Sequence, residues 1–253
     1  MNSVTVRNLE IGAGAPKIIV PIVARSTEEI LRKAKELLSY SVDLVEWRAD
    51  FYDRISDPAE SVATARALNR ILKNIPILFT FRTKKEGGDK EISMNAYTAL
   101  NKALADSGAV DLIDVEIFSG DAVVRENIAN IHAAGVKVVG SNHDFLGTPE
   151  KADIIYRLRV MQDYGADIPK IAVMPKTPAD VITLLDATQE MHNKYADRPI
   201  LTMSMSPMGV ISRVCGDAFG SCMTFGAVGQ VSAPGQIPVE KLEAVLSILH
   251  SAS

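Results

Sequence analysis

Eight short runs rich in Val, Ile and Leu, separated by longer stretches of helical period, predict a (β/α)8 TIM barrel for this chain of 253 residues. The length fits that class, which takes about 250 residues. No composition break or long linker divides the sequence, so positions 1–253 read as a single barrel domain. A doubly wound open sheet of similar length is the alternative architecture.

The strands read in order as KIIVPIVA (17–24), DLVEWR (43–48), PILFTFR (76–82), LIDVEIF (112–118), VKVVGSN (136–142), PKIAVM (169–174), PILTMSM (199–205) and CMTFGAV (222–228). Between the first two, STEEILRKAKELLSY opens with Ser26 and Thr27 followed by Glu28 and Glu29, which supplies an N-cap and first-turn acids for a helix. TPEKADIIYRLRVMQDYG begins at Thr148 and Pro149 and stops at Gly165, the asymmetry expected of helix ends. The crossover between Met205 and Cys222 is short and carries the weakest helical signal. Ahead of the first strand, VTVRNLEIG has two alternating pieces around Arg7 and Asn8, which predict a short N-terminal β-hairpin closing the lower mouth.

Composition narrows the function classes. A content of 47% hydrophobic and 23% charged residues is that of a compact soluble protein. The net charge of −4 is mild and Lys and Arg are scattered, so no nucleic-acid partner is expected and a small-molecule substrate is. Cys215 and Cys222 form no CxxC pair, which argues against a disulfide framework and a thiolate zinc site. MNSVTVRNLEIG lacks the pattern of a signal peptide, and no apolar run reaches the ~18 residues of a membrane helix. A cytoplasmic location without membrane contact is therefore expected.

Barrel strands alternate between the interior and the helix layer, and chemistry gathers at their C-terminal ends. In DLVEWR, Glu46 and Arg48 share the inward face while Val45 and Trp47 suit packing beneath helices. Thr80 and Arg82 oppose Phe79 and Phe81, and Asp114 and Glu116 oppose Ile113, Val115 and Ile117. Ser141 aligns with His143, and Lys170 with Ala172 and Met174. Packed cores do not need so many ionisable groups, whereas sites do.

Each candidate has a plainer reading. Lys170 in GADIPKIAVMP is either a lysine whose ammonium pairs with Asp114 or Glu116, or a desolvated amine able to form a Schiff base with a ketone. His143 in SNHDF follows a strand, where a barrel displays acid/base groups, while His132, His192 and His250 lie in helical, exposed stretches. No second histidine shares its face, which weakens a metal reading, although carboxylates could complete a site. Glu86 in FRTKKEGGDKEIS reads by itself as part of a solvated turn. Arg213 reads as a surface residue or as a planar fork for a carboxylate. GQVSAPGQIP (229–238) reads as a lid or a plain βα loop.

Taken together, EWRADF, LFTFRTKKEGG, LIDVEIF, SNHDF, GADIPKIAVMP, MSMSPMGVISR, FGAV and SAPGQI resemble type I 3-dehydroquinate dehydratase, a lyase of the shikimate pathway, over nearly the whole chain. The resemblance implies syn elimination of water from 3-dehydroquinate to 3-dehydroshikimate through a lysine Schiff base. That is the third step of chorismate and aromatic amino acid biosynthesis, run without cofactor or metal by a barrel that is commonly a homodimer. Carried onto this sequence, it makes Lys170 the imine-forming amine, His143 the general acid/base and Glu86 the group that orients the histidine. Glu46, Trp47 and Arg48 of the EWR motif, Arg82, Arg213, Ser232 and Gln236 become substrate contacts, with Met203, Met205 and Phe225 lining the pocket. One departure stands out: the family often carries a serine near the end of the first strand, and here that position is Pro21, which offers no hydroxyl. A class I aldolase barrel and a non-catalytic metabolite-binding barrel are the competing readings.

Overall fold

The computed structural model describes residues 3–229 and 235–252. Strands β1 (Val4–Val6) and β2 (Leu9–Ile11) form the antiparallel N-terminal hairpin, with Val4 opposite Ile11 and Val6 opposite Leu9. The strands that follow are β3 (Lys17–Ile22), β4 (Leu44–Arg48), β5 (Ile77–Thr80), β6 (Leu112–Glu116), β7 (Lys137–Asp144), β8 (Ile168–Val173), β9 (Leu201–Ser204), β10 (Met223–Ala227) and the two-residue β11 (Ile237–Pro238). They form one parallel nine-stranded sheet in the order β11-β10-β3-β4-β5-β6-β7-β8-β9. Strand β9 meets β10 through the parallel bridge between Ile200 and Ser221 and the 2.8 Å bond from Cys222 N to Ile200 O, just ahead of both strands, and these links curl the sheet into a barrel.

The helices around it are α1 (Thr27–Leu37), α2 (Pro58–Leu72), α3 (Met94–Asp106), α4 (Asp121–Ala133), α5 (Lys151–Asp163), α6 (Pro178–Glu190), the short α7 (Ile211–Val214) and α8 (Gly216–Phe219), and α9 (Val239–Ser251). Ser26 caps α1 as the sequence predicts, accepting from Glu29 N. Helix α5 starts later than its Thr-Pro signal. Thr148 Oγ1 donates instead to Met174 O, leaving Glu150 as the N-cap without a side-chain bond, while Gly165 terminates the helix with φ +94°. The seventh crossover holds α7 and α8 rather than one full helix.

Strand alternation divides the apolar residues into two cores. Outward residues such as Val45, Trp47, Phe79, Ile113 and Val138 pack against the helices. Inward residues Ile19, Leu44, Leu78, Leu112, Val139, Ile168, Leu201 and Met223 fill the lower barrel, and Val4, Val6 and Ile11 of the hairpin join them. Arg7, at positive φ in the hairpin turn, pins that plug in place. Its guanidinium pairs with Asp111 at 2.7 Å and donates to Asn69 Oδ1, Ile75 O and Lys73 O.

Pro21 sits inside β3 without spoiling the sheet. Ile18 N donates to Asp43 Oδ2 and Ile18 O accepts from Asp43 N, so even-numbered residues of β3 face β4. Pro21 therefore faces β10, whose pairing with β3 ends at Phe225 opposite Ile19, and its missing N–H removes no ladder bond. Among the described residues no helix is long and apolar enough to cross a membrane.

Candidate active site

Above the apolar floor the inward positions become polar, and a cavity of about 220 Å³ opens at the C-terminal strand ends. Glu46, Arg48, Arg82, Glu86, His143, Lys170, Arg213 and Gln236 line it, with Phe51, Gly87, Phe145, Ala172, Met203, Met205 and Phe225 as its apolar wall. Lys170 comes from the middle of β8, opposite Ser141 of β7, and its side chain is only 3% exposed. Its Nζ donates to Asp114 Oδ2 at 3.3 Å and lies 5.0 Å from the centre of the Phe225 ring.

Beneath the cavity a buried ionic layer fixes these groups. Arg82 pairs with Asp114 at 2.7 Å and with Glu116 at 2.9 Å, and its Nη1 also donates to Ser141 Oγ. Ser141 in turn donates to Asp114 Oδ1, and Glu116 accepts from the Thr83 backbone and hydroxyl. Burial pushes the Asp114 carboxyl up, but the Arg82 and Lys170 charges and the Ser141 bond outweigh it and hold the acid below its ordinary value. Burial likewise opposes the Arg82 charge, and the three surrounding acids more than restore it. Each buried charge thus has partners, the condition under which such a layer is tolerated.

Glu86 is buried, contrary to the solvated turn that its local sequence suggests. The turn Lys84–Glu86 folds back on the end of β5: Gly88 N bonds Thr83 O, and a Cβ at Gly88 would collide with the Arg82 carbonyl. Gly87, at φ +84°, lies so near the Phe145 ring that a Cβ would clash there too. The paired glycines therefore aim Glu86 inward. Its Oε2 accepts from His143 N at 2.9 Å and lies 3.0 Å from His143 Nδ1, while Oε1 accepts from Asn142 Nδ2 at 3.2 Å. Burial pushes the Glu86 carboxyl up to about 7, with Arg82 pulling the other way. Burial, then the charges of Arg82, Lys170 and Arg48, hold the His143 imidazole well below its ordinary value, so it is neutral near pH 7. An ionised Glu86 only accepts hydrogen bonds, which places the His143 proton on Nδ1 and leaves Nε2 a lone pair.

The cations Arg48 and Arg213 complete the polar wall. Arg48 spends Nε and Nη2 on Asp50, both at 2.8 Å, and its guanidinium lies over Phe51. Arg213, on α7, is 2% exposed and not the surface residue its local sequence allows. Burial lowers its pKa to about 10, which leaves it charged at neutral pH. Glu46 accepts from Thr80 Oγ1 at 2.9 Å.

Lys170, His143, Glu86, Glu46, Arg48, Arg82, Arg213, Gln236, Met203, Met205 and Phe225 all border this one cavity. Trp47 does not, and its place among the substrate contacts is corrected: the side chain is fully buried on the helix side, edge-on to Tyr52 and Phe79. Its neighbours Glu46 and Arg48 face inward, and strand alternation sends Trp47 the other way. Ser232 lies outside the described residues. Pro21 borders a separate surface cleft with Val23, Lys33 and Val228. Sequence reasoning did not single out Phe51, Phe145 or Asn142. Phe51 ends a single 3-10 turn (Ala49–Phe51) and Phe145 lies in a loop, neither with strand parity, and Asn142 points away from the cavity, so only its bond to Glu86 shows its place. Among the described residues no group of three or more His, Cys, Asp or Glu converges as a metal cluster.

Residues 18–253 match the family model described as type I 3-dehydroquinase. The chain is 54% identical over 252 residues to a 3-dehydroquinate dehydratase of Escherichia coli O1:K1, covering all of both chains. Among solved structures it resembles a type I 3-dehydroquinate dehydratase from Clostridium difficile with covalently modified comenic acid, at 51% identity and TM-score 0.97, covering 100% of this chain and 99% of that one. A 3-dehydroquinate dehydratase from Geobacillus kaustophilus is 41% identical with TM-score 0.97, over 100% and 98% of the two chains.

Proposed function

The chain belongs to the type I 3-dehydroquinase family and is a hydro-lyase; on that premise we propose that it removes water from 3-dehydroquinate through a Schiff base on Lys170. The observation that carries this reading is a buried primary amine in a cavity lined by charged side chains at the C-terminal strand ends, with a neutral imidazole on the adjacent strand. The covalently modified small acid in the Clostridium difficile relative supports covalent chemistry in this family.

In the resting site Lys170 donates to Asp114, and it is the neutral form of a primary amine that attacks a ketone. The neutral amine adds to the ring ketone, and the carbinolamine loses water to a protonated imine. That cation draws electrons from the neighbouring carbon, and His143 Nε2 takes the proton there, leaving an enamine. The enamine electrons then expel the β-hydroxyl, which leaves as water with the proton that His143 had taken. Hydrolysis of the product imine consumes one water and restores the amine, so the net change is loss of one water from the substrate.

Arg213 and the free edge of Arg48 suit the substrate carboxylate and hydroxyls, with Glu46 and Gln236 as further polar contacts. Holding a polyhydroxylated ring at several points decides which proton meets Nε2. The direct test is to supply 3-dehydroquinate and follow ultraviolet absorbance: the enone of 3-dehydroshikimate should accumulate. Cleavage to smaller carbonyl fragments would point to an aldolase instead, and saturable binding without turnover to a non-catalytic barrel. The enzyme fits the third step of chorismate synthesis.

A further inference from the structure

His143 is presented by the last turnless stretch of β7, and its two sequence neighbours face the opposite way, toward α5. One side chain of α5 reaches both. Arg157 Nη1 donates to Asn142 Oδ1 at 3.1 Å and to Asp144 Oδ2 at 3.2 Å, while Nη2 donates to Asp153 Oδ2 at 2.7 Å.

The two anchored neighbours each continue into the site. Asn142 has an amide with two ends: Oδ1 is taken by Arg157, so its NH2 faces Glu86 Oε1 at 3.2 Å. Glu86 then has only Oε2 left for His143, which it meets through both the backbone N–H and Nδ1. Asp144 Oδ1 accepts from Leu146 N and Gly147 N and so shapes the turn that carries Phe145 into the cavity wall.

We propose that Arg157 is a positioning residue for the dehydration: by gripping Asn142 and Asp144 on either side of His143, it fixes the orientation of Glu86 and, through it, of the imidazole. Arg157 bonds Asn142, Asp144 and Asp153, none of which lines the cavity, and its planar fork is what allows one side chain to reach all three together. A lysine would supply the charge without that fork. The groups facing Glu86 are Arg82, Glu116, Asp114, Asn142 and His143; all of them are retained in the Arg157 variants, which lose only the bonds that hold Asn142 and Asp144 from behind. The proposal rests on the assignment of His143 as the proton-transfer group.

The test compares wild type with Arg157→Met, Arg157→Lys and Asn142→Ala, using kcat, KM, the pH profile of kcat and borohydride trapping with 3-dehydroquinate. Arg157→Met should lower kcat about 10- to 100-fold, the scale of a misplaced catalytic group, with KM changed less than about threefold. The acid limb of its pH profile should move, trapping at Lys170 should persist, and Arg157→Lys should recover only part of kcat. Asn142→Ala should show the same shift, and combining it with Arg157→Met should add little, because both act on one chain of contacts. Unchanged kcat and pH profile in a folded Arg157→Met protein would overturn the proposal; if that variant does not fold, a wild-type kcat and profile in Asn142→Ala would do so. Wild-type turnover without any trapping would instead overturn the Schiff-base reading, and the kcat comparison would still decide the role of Arg157.

Discussion

Lys170 Nζ and Asp114 Oδ2 lie 3.3 Å apart although they come from β8 and β6, strands that are not neighbours. The strand between them contributes Ser141, whose hydroxyl bonds Asp114 and accepts from Arg82. The amine is thus held by a carboxylate whose main charge partner is an arginine, at 2.7 Å.

Asp114→Asn keeps the shape and removes the charge, leaving Arg82 and Lys170 short of a buried partner. It should lower stability by roughly 3 kcal/mol, the scale for breaking a buried pair. Urea unfolding should show a lower midpoint with the same slope. An unchanged midpoint would mean that the layer is not held by this pair.

His143→Ala leaves Lys170 and its surroundings in place. The variant should still form an imine with substrate while kcat falls about 10²- to 10⁴-fold, the range for a lost general acid/base. Retention of more than about a tenth of wild-type kcat would remove the role given to the imidazole.

The Glu86–His143 pair should titrate near pH 7 as a unit. Above it, Glu86 is ionised and Nε2 is a base; below it, a protonated Glu86 donates to Nδ1 and the imidazole proton moves to Nε2, which stops proton abstraction. The kcat profile should therefore fall on the acid side of about 7. In Glu86→Gln the amide oxygen still accepts from Nδ1 without titrating, so that limb should shift or vanish. The same carboxyl binds its proton more tightly in the folded chain than in the unfolded one. Its contribution to stability is therefore fully present below the unfolded pKa of about 4.5 and is lost as pH rises to about 7. Stability curves of wild type and Glu86→Gln should diverge across that window, with the variant less dependent on pH.

Trp47→Phe tests the place that strand alternation gives this residue. The indole packs between sheet and helices, and its Nε1 has no hydrogen-bond partner among the described residues. The substitution should leave KM for 3-dehydroquinate within about twofold and act on stability, by roughly 1–2 kcal/mol. A large rise in KM with unchanged stability would put Trp47 back at the ligand.

Alternation is also the reason so much of this molecule was legible in its sequence. A period of two assigns Glu46, Arg48, Asp114, Lys170 and His143 to the interior without reference to any tertiary contact, and it places Trp47 correctly where motif membership misplaces it. Thr148 and Pro149 mislead about the start of α5, because the Thr148 hydroxyl serves the Met174 carbonyl across a loop, a contact no local signal encodes. Glu86 reads as solvated because its burial depends on two glycines folding a turn back onto Arg82. Asn142, Phe51 and Phe145 share that difficulty: their place is set by what comes to meet them, not by their own strand or helix period.

The central claim is that Lys170 carries the substrate covalently. Wild-type protein treated with 3-dehydroquinate and borohydride should gain the mass of the reduced adduct, and peptide mapping should locate it on Lys170, with no adduct in Lys170→Ala and almost no turnover. An unmodified wild-type mass during active turnover, or full activity in Lys170→Ala, would contradict the account.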